Sequence, residues 1–351
     1  MRIVVNDIAA SEGGAMSVLR DLHSDIISSG DENEWIFLLG EKFIEESDNI
    51  KVLTFPKIKT SWIKRLDFDF ISGKKIINKL QPDIYLSLQN TATIGVKAPQ
   101  YVFLHQPLPY QKEKNFSFIK KKEFKMATYQ HVIGKIYSIL FKKTKATIIV
   151  QTQWMKENVS SILNNKILKV DTKINIDENI INKQINENKR NMKHFFYPAS
   201  NIPYKNHDFL IESFSKCKDK ELRLFLTLSR DEIDIKDDRI ILLGKVPREK
   251  VFDIYSKSNL IFPSSIETLG LPLLEAQCFM SPILALETEF SKEALSGYPH
   301  KYLFKLDNLD NLSHLIEKIS TSSIVFNVEN VIYKKENRVS ILDILKGENI
   351  Y

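Results

Sequence analysis

Glu267 and Glu275 enclose the run Glu267-Thr-Leu-Gly-Leu-Pro-Leu-Leu-Glu275, one residue after the apolar stretch Asn259-Leu-Ile-Phe-Pro-Ser-Ser265. The pattern predicts a strand, a short polar turn and a helix beginning near Leu269, with Thr268 as the candidate N-cap. Such a turn aims the backbone N–H groups around Leu269, Gly270 and Leu271 into the crevice beyond the strand, together with the positive end of the helix dipole. An anion is expected there. One carboxylate before the helix and a second about two turns into it could hold separate hydroxyl-bearing parts of one ligand, such as a sugar and a ribose joined through phosphate. The spacing alone also fits a purely structural role, because the dipole favours Glu near any helix start.

Other positions could join this chemistry. Gly13 and Gly14 lie in the first strand–helix turn, Asp7-Ile-Ala-Ala-Ser-Glu-Gly13-Gly14, where glycine lets backbone approach a ligand closely. The three-glycine dinucleotide pattern is absent, and a merely tight turn explains the pair equally well. His105 closes the apolar run Tyr101-Val-Phe-Leu-His105; a polar residue at the C-terminal end of a parallel strand faces the crevice, although a lone histidine is more often structural. Lys205, in Tyr197-Pro-Ala-Ser200-Asn-Ile-Pro-Tyr-Lys205-Asn206, follows another strand and could neutralise a diphosphate, or be one of many surface lysines. Thr152 and Trp154 fit helix capping and core packing better than a cleft floor. The sequence holds no Gly-x-x-x-x-Gly-Lys loop, no His-Glu-x-x-His and no Gly-x-Ser-x-Gly, which argues against nucleotide hydrolase, metalloprotease and esterase readings.

The elements that position these residues alternate. Strands are predicted at 2–5, 35–39, 84–87, 101–104 and 146–150, with helices at 14–28, 62–80, around 119–142 and at 152–163. After a polar Asn- and Lys-rich run at 171–192, read as the connection between domains, strands are predicted at 195–198, 222–228, 240–243, 260–263, 283–285 and 302–304. Helices are predicted at 207–217, 248–256, 269–278 and 309–319. Alternation of this kind implies parallel βαβ units. The expected architecture is α/β: a first domain at 1–170, a second at 193–351, the two facing across a cleft, with the tail from Asn330 packing back on the first.

A chain of 351 residues suits two domains, and 43% hydrophobic with 27% charged residues is a globular composition. No apolar run of spanning length occurs, and Met1-Arg-Ile-Val-Val-Asn-Asp-Ile reads as a first strand rather than a leader. Cys217 and Cys278 are expected to be buried thiols in a reducing compartment, which makes the chain cytosolic. The net charge of +6 is uneven: ten Lys against two Glu between Lys112 and Lys145 give +8, leaving −2 for the remainder. Aromatic and branched residues interleave those lysines. A solvated helix face, an anionic membrane surface and nucleic acid are the three readings, the last without any accompanying motif.

The segment Pro-Ser-Ser-x-Glu-Thr-x-Gly-Leu-Pro-Leu-Leu-Glu-Ala resembles the signature of the retaining family-4 glycosyltransferases, with their Glu-x7-Glu motif. The first turn, His105, Val150-Gln-Thr-Gln and Lys205-Asn206 occur in family order. The resemblance implies a GT-B fold of two Rossmann-like domains, acceptor on the first and nucleotide sugar on the second, and sugar transfer to a hydroxyl with retention and without a metal cofactor. It implies that Gly13 and Gly14 lie under the donor phosphate, that His105 orients the sugar, that Lys205 grips the diphosphate, and that Glu267 and Glu275 hold sugar and ribose hydroxyls. The family's Arg-x4-Lys pair is broken here, since Ser200 stands at the Arg position; Lys205 then acts with backbone N–H groups, or another cation such as Arg230 substitutes. With the basic stretch 112–145, the expected acceptor is a lipid-linked glycan in O-antigen or capsule synthesis, at the inner face of the cell membrane. The rivals are a GT-B-fold sugar-nucleotide epimerase and a non-catalytic member that binds a membrane or partner.

Overall fold

The computed structural model describes residues 1–10, 14–174, 176–187, 189–322 and 338–347. The chain divides into two compact units, Met1–Lys173 with Asn337–Tyr351, and Ile174–Glu336.

Unit 1 is built on seven parallel strands: β1 (Arg2–Asp7), β2 (Glu34–Leu39), β3 (Ile50–Thr54), β4 (Ile84–Ser87), β5 (Gln100–Phe103), β6 (Thr147–Val150) and β7 (Ile167–Lys169), in spatial order β3-β2-β1-β4-β5-β6-β7. Side chains alternate across a strand, so Ile3, Val5, Trp35, Phe37 and Leu39 enter one apolar layer and Val4, Ile36 and Leu38 the other. The first layer also takes Leu342, Ile344 and Leu345 from the C-terminal helix Ile341–Lys346. Six residues are too few for an independent helix, so tertiary packing must hold it. Burial of such side chains is worth about 1.5–3 kcal/mol each. A reciprocal cap between Ser340 and Asp343 starts the helix, and ion pairs from Arg338 to Asp25 and from Lys346 to Asp31 flank it.

Unit 2 carries six parallel strands, β8 (His194–Tyr197), β9 (Arg223–Leu226), β10 (Ile240–Leu242), β11 (Asn259–Phe262), β12 (Ile283–Leu286) and β13 (Lys301–Phe304), ordered β10-β9-β8-β11-β12-β13. Arg190 ties the ends of the helices Arg248–Lys257 and Leu271–Cys278 together. Its guanidinium donates to the carbonyls of Tyr255 (2.9 Å) and Phe279 (2.7 Å), to that of Ser258, and to Ser281 Oγ (3.1 Å). Burial pulls its pKa down to about 10. Cys217 and Cys278 are both buried, which pushes their thiols up to about 12.

The α/β class and parallel sheets agree with the sequence reading, while several elements differ from it. The strands β3 and β7 were not foreseen, and the polar run holds the helix Glu178–Glu187, part of unit 2. The helix expected around 119–142 is not continuous. Residues before Phe124 form turns, a π-helical segment occupies Thr128–Ile133, and α-helix resumes at Gly134–Thr144. Gly134 permits close packing there, since a Cβ would sit 2.6 Å from that of Pro109. A second π-helical segment, Phe68–Ser72, interrupts the helix expected at 62–80.

Candidate functional site

Strand order in an open parallel sheet locates its crevice, because adjacent strands whose connections leave in opposite directions leave a gap at their C-terminal ends. In unit 2 this switch point lies between β8 and β11. The loops after these two strands carry Lys205 and Glu267, and the structure brings them together as an ion pair between Lys205 Nζ and Glu267 Oε1, with side chains 15% and 18% exposed.

Local bonding fixes the pair. Pro203–Lys205 forms one 3₁₀ turn, closed by Asn206 in the left-handed region at φ 54°, which asparagine tolerates better than most residues. The Asn206 amide donates to the Pro263 carbonyl at 2.7 Å and to Ser265 Oγ at 2.6 Å, while the Ser265 N–H donates to the Tyr204 carbonyl at 2.8 Å. Buried Tyr197 donates from its hydroxyl to the Lys205 carbonyl at 3.0 Å. The Lys205 ammonium also lies 5.9 Å from the Phe262 ring centroid. His207 beside it is kept neutral, its pKa brought down to about 4 chiefly by burial and then by Lys205.

The helix after Glu267 starts two residues later than expected. It runs Leu271–Cys278, and its N-cap is Gly270 in the left-handed conformation (φ 71°, ψ 52°), not Thr268. Glycine adopts that conformation without strain, so the chain turns at Gly270 and cannot be helical before it. Pro272 sits in the first turn and carries no N–H, which leaves Leu271 to present the first helical N–H. Thr268 and Leu269 are half-buried in the turn.

Glu275 is only 6% exposed. Arg248 Nη2 donates to its Oε1 at 2.7 Å, and the Tyr255 hydroxyl to Oε2 at 3.4 Å. Burial raises its pKa, with Arg248 and Tyr255 opposing. Arg248 had no signal in the sequence, because nothing links a residue at the start of one helix to a carboxylate in the next. Ser200 is exposed on the loop after β8 and Arg230 is exposed on the turn after β9.

Three expected site residues belong to unit 1. Gly13 lies outside the described residues, and Gly14 opens the helix Gly14–Ser28. His105 follows β5. Its backbone N–H donates to Asn90 Oδ1 at 2.7 Å, and the same amide's Nδ2 lies 3.1 Å from His105 Nε2. Because Asn90 spends its oxygen on the backbone, its nitrogen must donate to Nε2, which places the imidazole proton on Nδ1. Burial lowers the ring's pKa to about 4 and keeps it neutral. Thr152 and Trp154 are buried at the start of the helix Gln153–Ser160. Among the described residues, no group of three or more His, Cys, Asp or Glu could hold a metal ion.

Residues 178–338 match the family model for Glycosyl transferases group 1. No curated protein matches the chain. Among solved structures, the chain is similar to Anabaena HepE in complex with UDP-glucose, at 14% identity over 91% of this chain and 89% of that one, TM-score 0.60. It is also similar to WaaG, a glycosyltransferase involved in lipopolysaccharide biosynthesis, at 11% identity over 91% and 90%, TM-score 0.62. TarM of S. aureus aligns over 78% of this chain at 15% identity and TM-score 0.53, but the chain spans only 56% of that protein's length. The two sheets are those of the GT-B fold, and fold and family match together support a GT-B glycosyltransferase.

Proposed function

We propose that the chain is a retaining glycosyltransferase that moves a sugar from a nucleoside diphosphate sugar to a hydroxyl of a lipid-linked glycan in surface polysaccharide synthesis. The observation that carries this reading is the Lys205–Glu267 pair at the switch point of unit 2, one short turn from the Leu271 helix start. The costly step is separation of a cationic sugar from an anionic diphosphate. Lys205 and the N–H groups around Leu269, Gly270 and Leu271 meet the negative charge as it develops on the leaving oxygen. Glu267 takes hydrogen bonds from the sugar and favours positive charge at its ring. Glu275, set in place by Arg248 and Tyr255, takes those of the ribose. The bond from the anomeric carbon to phosphate breaks as the bond to the acceptor oxygen forms on the same face, and the acceptor's proton passes to the leaving phosphate oxygen. No protein nucleophile, and no metal, is assigned.

A thermal-shift screen of nucleotide sugars tests the donor site. Ligand at 100 times its Kd adds about 2.7 kcal/mol, so one nucleotide sugar is expected to raise the melting temperature of the wild type and not of Glu267→Ala. Equal shifts in both proteins would place the donor elsewhere. Incubation with that donor alone separates transfer from epimerisation, which needs no acceptor.

Support for a membrane-bound acceptor comes from the basic stretch of unit 1. Among the described residues, no helix is long and apolar enough to cross a membrane. Ile119 is 95% exposed, and Phe118, Phe124, Val132 and Ile139 are exposed as well, within the stretch that carries the ten lysines. Each lysine near an anionic surface contributes about 1 kcal/mol at most. Vesicle binding is therefore expected to rise with anionic lipid content, to fall with salt, and to weaken in Ile119→Ser. Binding indifferent to lipid charge would remove the membrane from this proposal.

A further inference from the structure

Unit 1 contains a cavity of about 190 Å³ at its own switch point, where Asp7 ends β1, Asn90 follows β4 and His105 follows β5. Asp7 was not singled out from the sequence. It is 1% exposed, and neither carboxylate oxygen has a hydrogen-bond partner. A buried carboxylate left in that state is costly to the fold, so a role in holding a ligand accounts for its presence. His105 Nδ1, which carries the imidazole proton, is likewise buried without a partner, and so is Arg65 Nε. All three residues line the cavity.

The chemistry of the occupant follows from this inventory. An unpartnered acceptor and unpartnered donors around one space are complementary to hydroxyl groups, which both give and accept. A cation would meet the His105 N–H and Arg65, and above about pH 7, where Asp7 and Asp69 are ionised, an anion would meet both carboxylates. The volume is below that of a drug-sized pocket and suits one ring. Tyr129 and Tyr137 line the same space and Trp62, 43% exposed, also borders it, offering aromatic faces to ring C–H groups. Both π-helical segments contribute here, one through Asp69 and the other through Tyr129. Such turns widen a helix locally and recur at functional sites.

We propose that this cavity binds one neutral hexopyranose ring, with Asp7 accepting a hydrogen bond from one ring hydroxyl and the His105 Nδ1–H donating to another. That this ring is the terminal sugar of the acceptor rests on the transferase reading; the binding itself does not. The test titrates the full chain at pH 8, where Asp7 is ionised, without nucleotide, with methyl glycosides of neutral hexoses, with methyl glucuronide and with methyl glucosaminide. A change in Trp62 emission gives the readout, because Trp62 borders the cavity and Trp35 and Trp154 do not. At least one neutral glycoside is expected to bind, with Kd on the order of millimolar, and Asp7→Asn, which keeps shape and volume, to weaken it at least tenfold. Asp7→Glu, retaining the charge but shifting it, is expected to lie between the two. Unchanged binding in Asp7→Asn, preference for the charged glycosides, or no response to any neutral one would each overturn the assignment. Glycoside binding by a protein that binds no nucleotide sugar would instead sink the transferase reading and leave this site standing.

Discussion

Lys205→Ala is expected to lose sugar transfer by about 10²–10³-fold, the usual consequence of removing one group that stabilises developing negative charge. Glu267→Ala is expected to fall at least as far, since it strips the sugar ring of its carboxylate and leaves Lys205 without a counter-ion. Nucleoside diphosphate release with donor and acceptor present is the measurement. The ion pair complicates any single substitution, because both side chains are mostly buried and truncating one partner strands the other charge at a cost of up to roughly 3 kcal/mol. A loss of activity could then reflect a loosened loop. Lys205→Met combined with Glu267→Gln removes both charges together, so this double variant is expected to recover thermal stability relative to either single alanine variant while transfer remains lost. Recovery of both would make the pair structural. Wild-type release in Lys205→Ala would contradict the leaving-group role outright.

The sequence announced these two residues through different signals, and only in part. Glu267 was legible because an apolar strand, a polar turn and a helix fit in a few residues, and periodicity reports each of them. The helix start was misplaced by two residues because Thr268 is a good cap by residue type, whereas the backbone turns at Gly270. The strand β3, Ile-Lys-Val-Leu-Thr, was missed because an edge strand has no second neighbour to bury its outer side. Its composition is therefore mixed where central strands are uniformly apolar. The helix Glu178–Glu187 is polar for most of its length, which made it read as linker. Long-range pairings were illegible for a deeper reason. Neither Arg248 on Glu275 nor Asn90 on His105 leaves a trace in spacing, since each is made by two loops or helices meeting in space. Asp7 carried a readable cue, a carboxylate at the C-terminal end of a strand with an apolar centre, of the same kind that identified His105.

Asp7 should also set the pH dependence of unit 1. Burial raises its carboxyl to about 7, and burial likewise takes Asp69 to about 7 against the pull of its hydroxyl partners and Arg65. Both groups stay protonated in the folded protein at pH values where the unfolded chain, with carboxyls near 4, has already released them. Between those limits these two carboxyls hold more protons in the native state than in the unfolded one, and His105, kept neutral down to about 4, offsets part of that difference below about pH 6.5. Stability therefore falls as pH rises through the window from about 4 to about 7 and stays low above it, opposite in sign to a salt-bridged carboxylate. Asp237, held near 2 chiefly by Arg239, acts in that other sense within unit 2, its stabilising contribution being lost only as pH falls toward 2. The rise at Asp7 and Asp69, from near 4 to about 7, corresponds to roughly 4 kcal/mol per group at most. All three tryptophans, Trp35, Trp62 and Trp154, belong to unit 1, so tryptophan emission during heating follows that unit alone. The wild-type transition is expected several degrees higher near pH 5 than near pH 8. Asp7→Asn, which has no charge to desolvate, is expected to melt later than wild type near pH 8 and to show a flatter profile. A residue that weakens the fold at neutral pH yet binds a ligand is the usual compromise between stability and activity. An Asp7→Asn protein that melts earlier than wild type near pH 8 would show instead that the carboxylate is satisfied by the fold, and would take away the orphaned acceptor on which the sugar pocket depends.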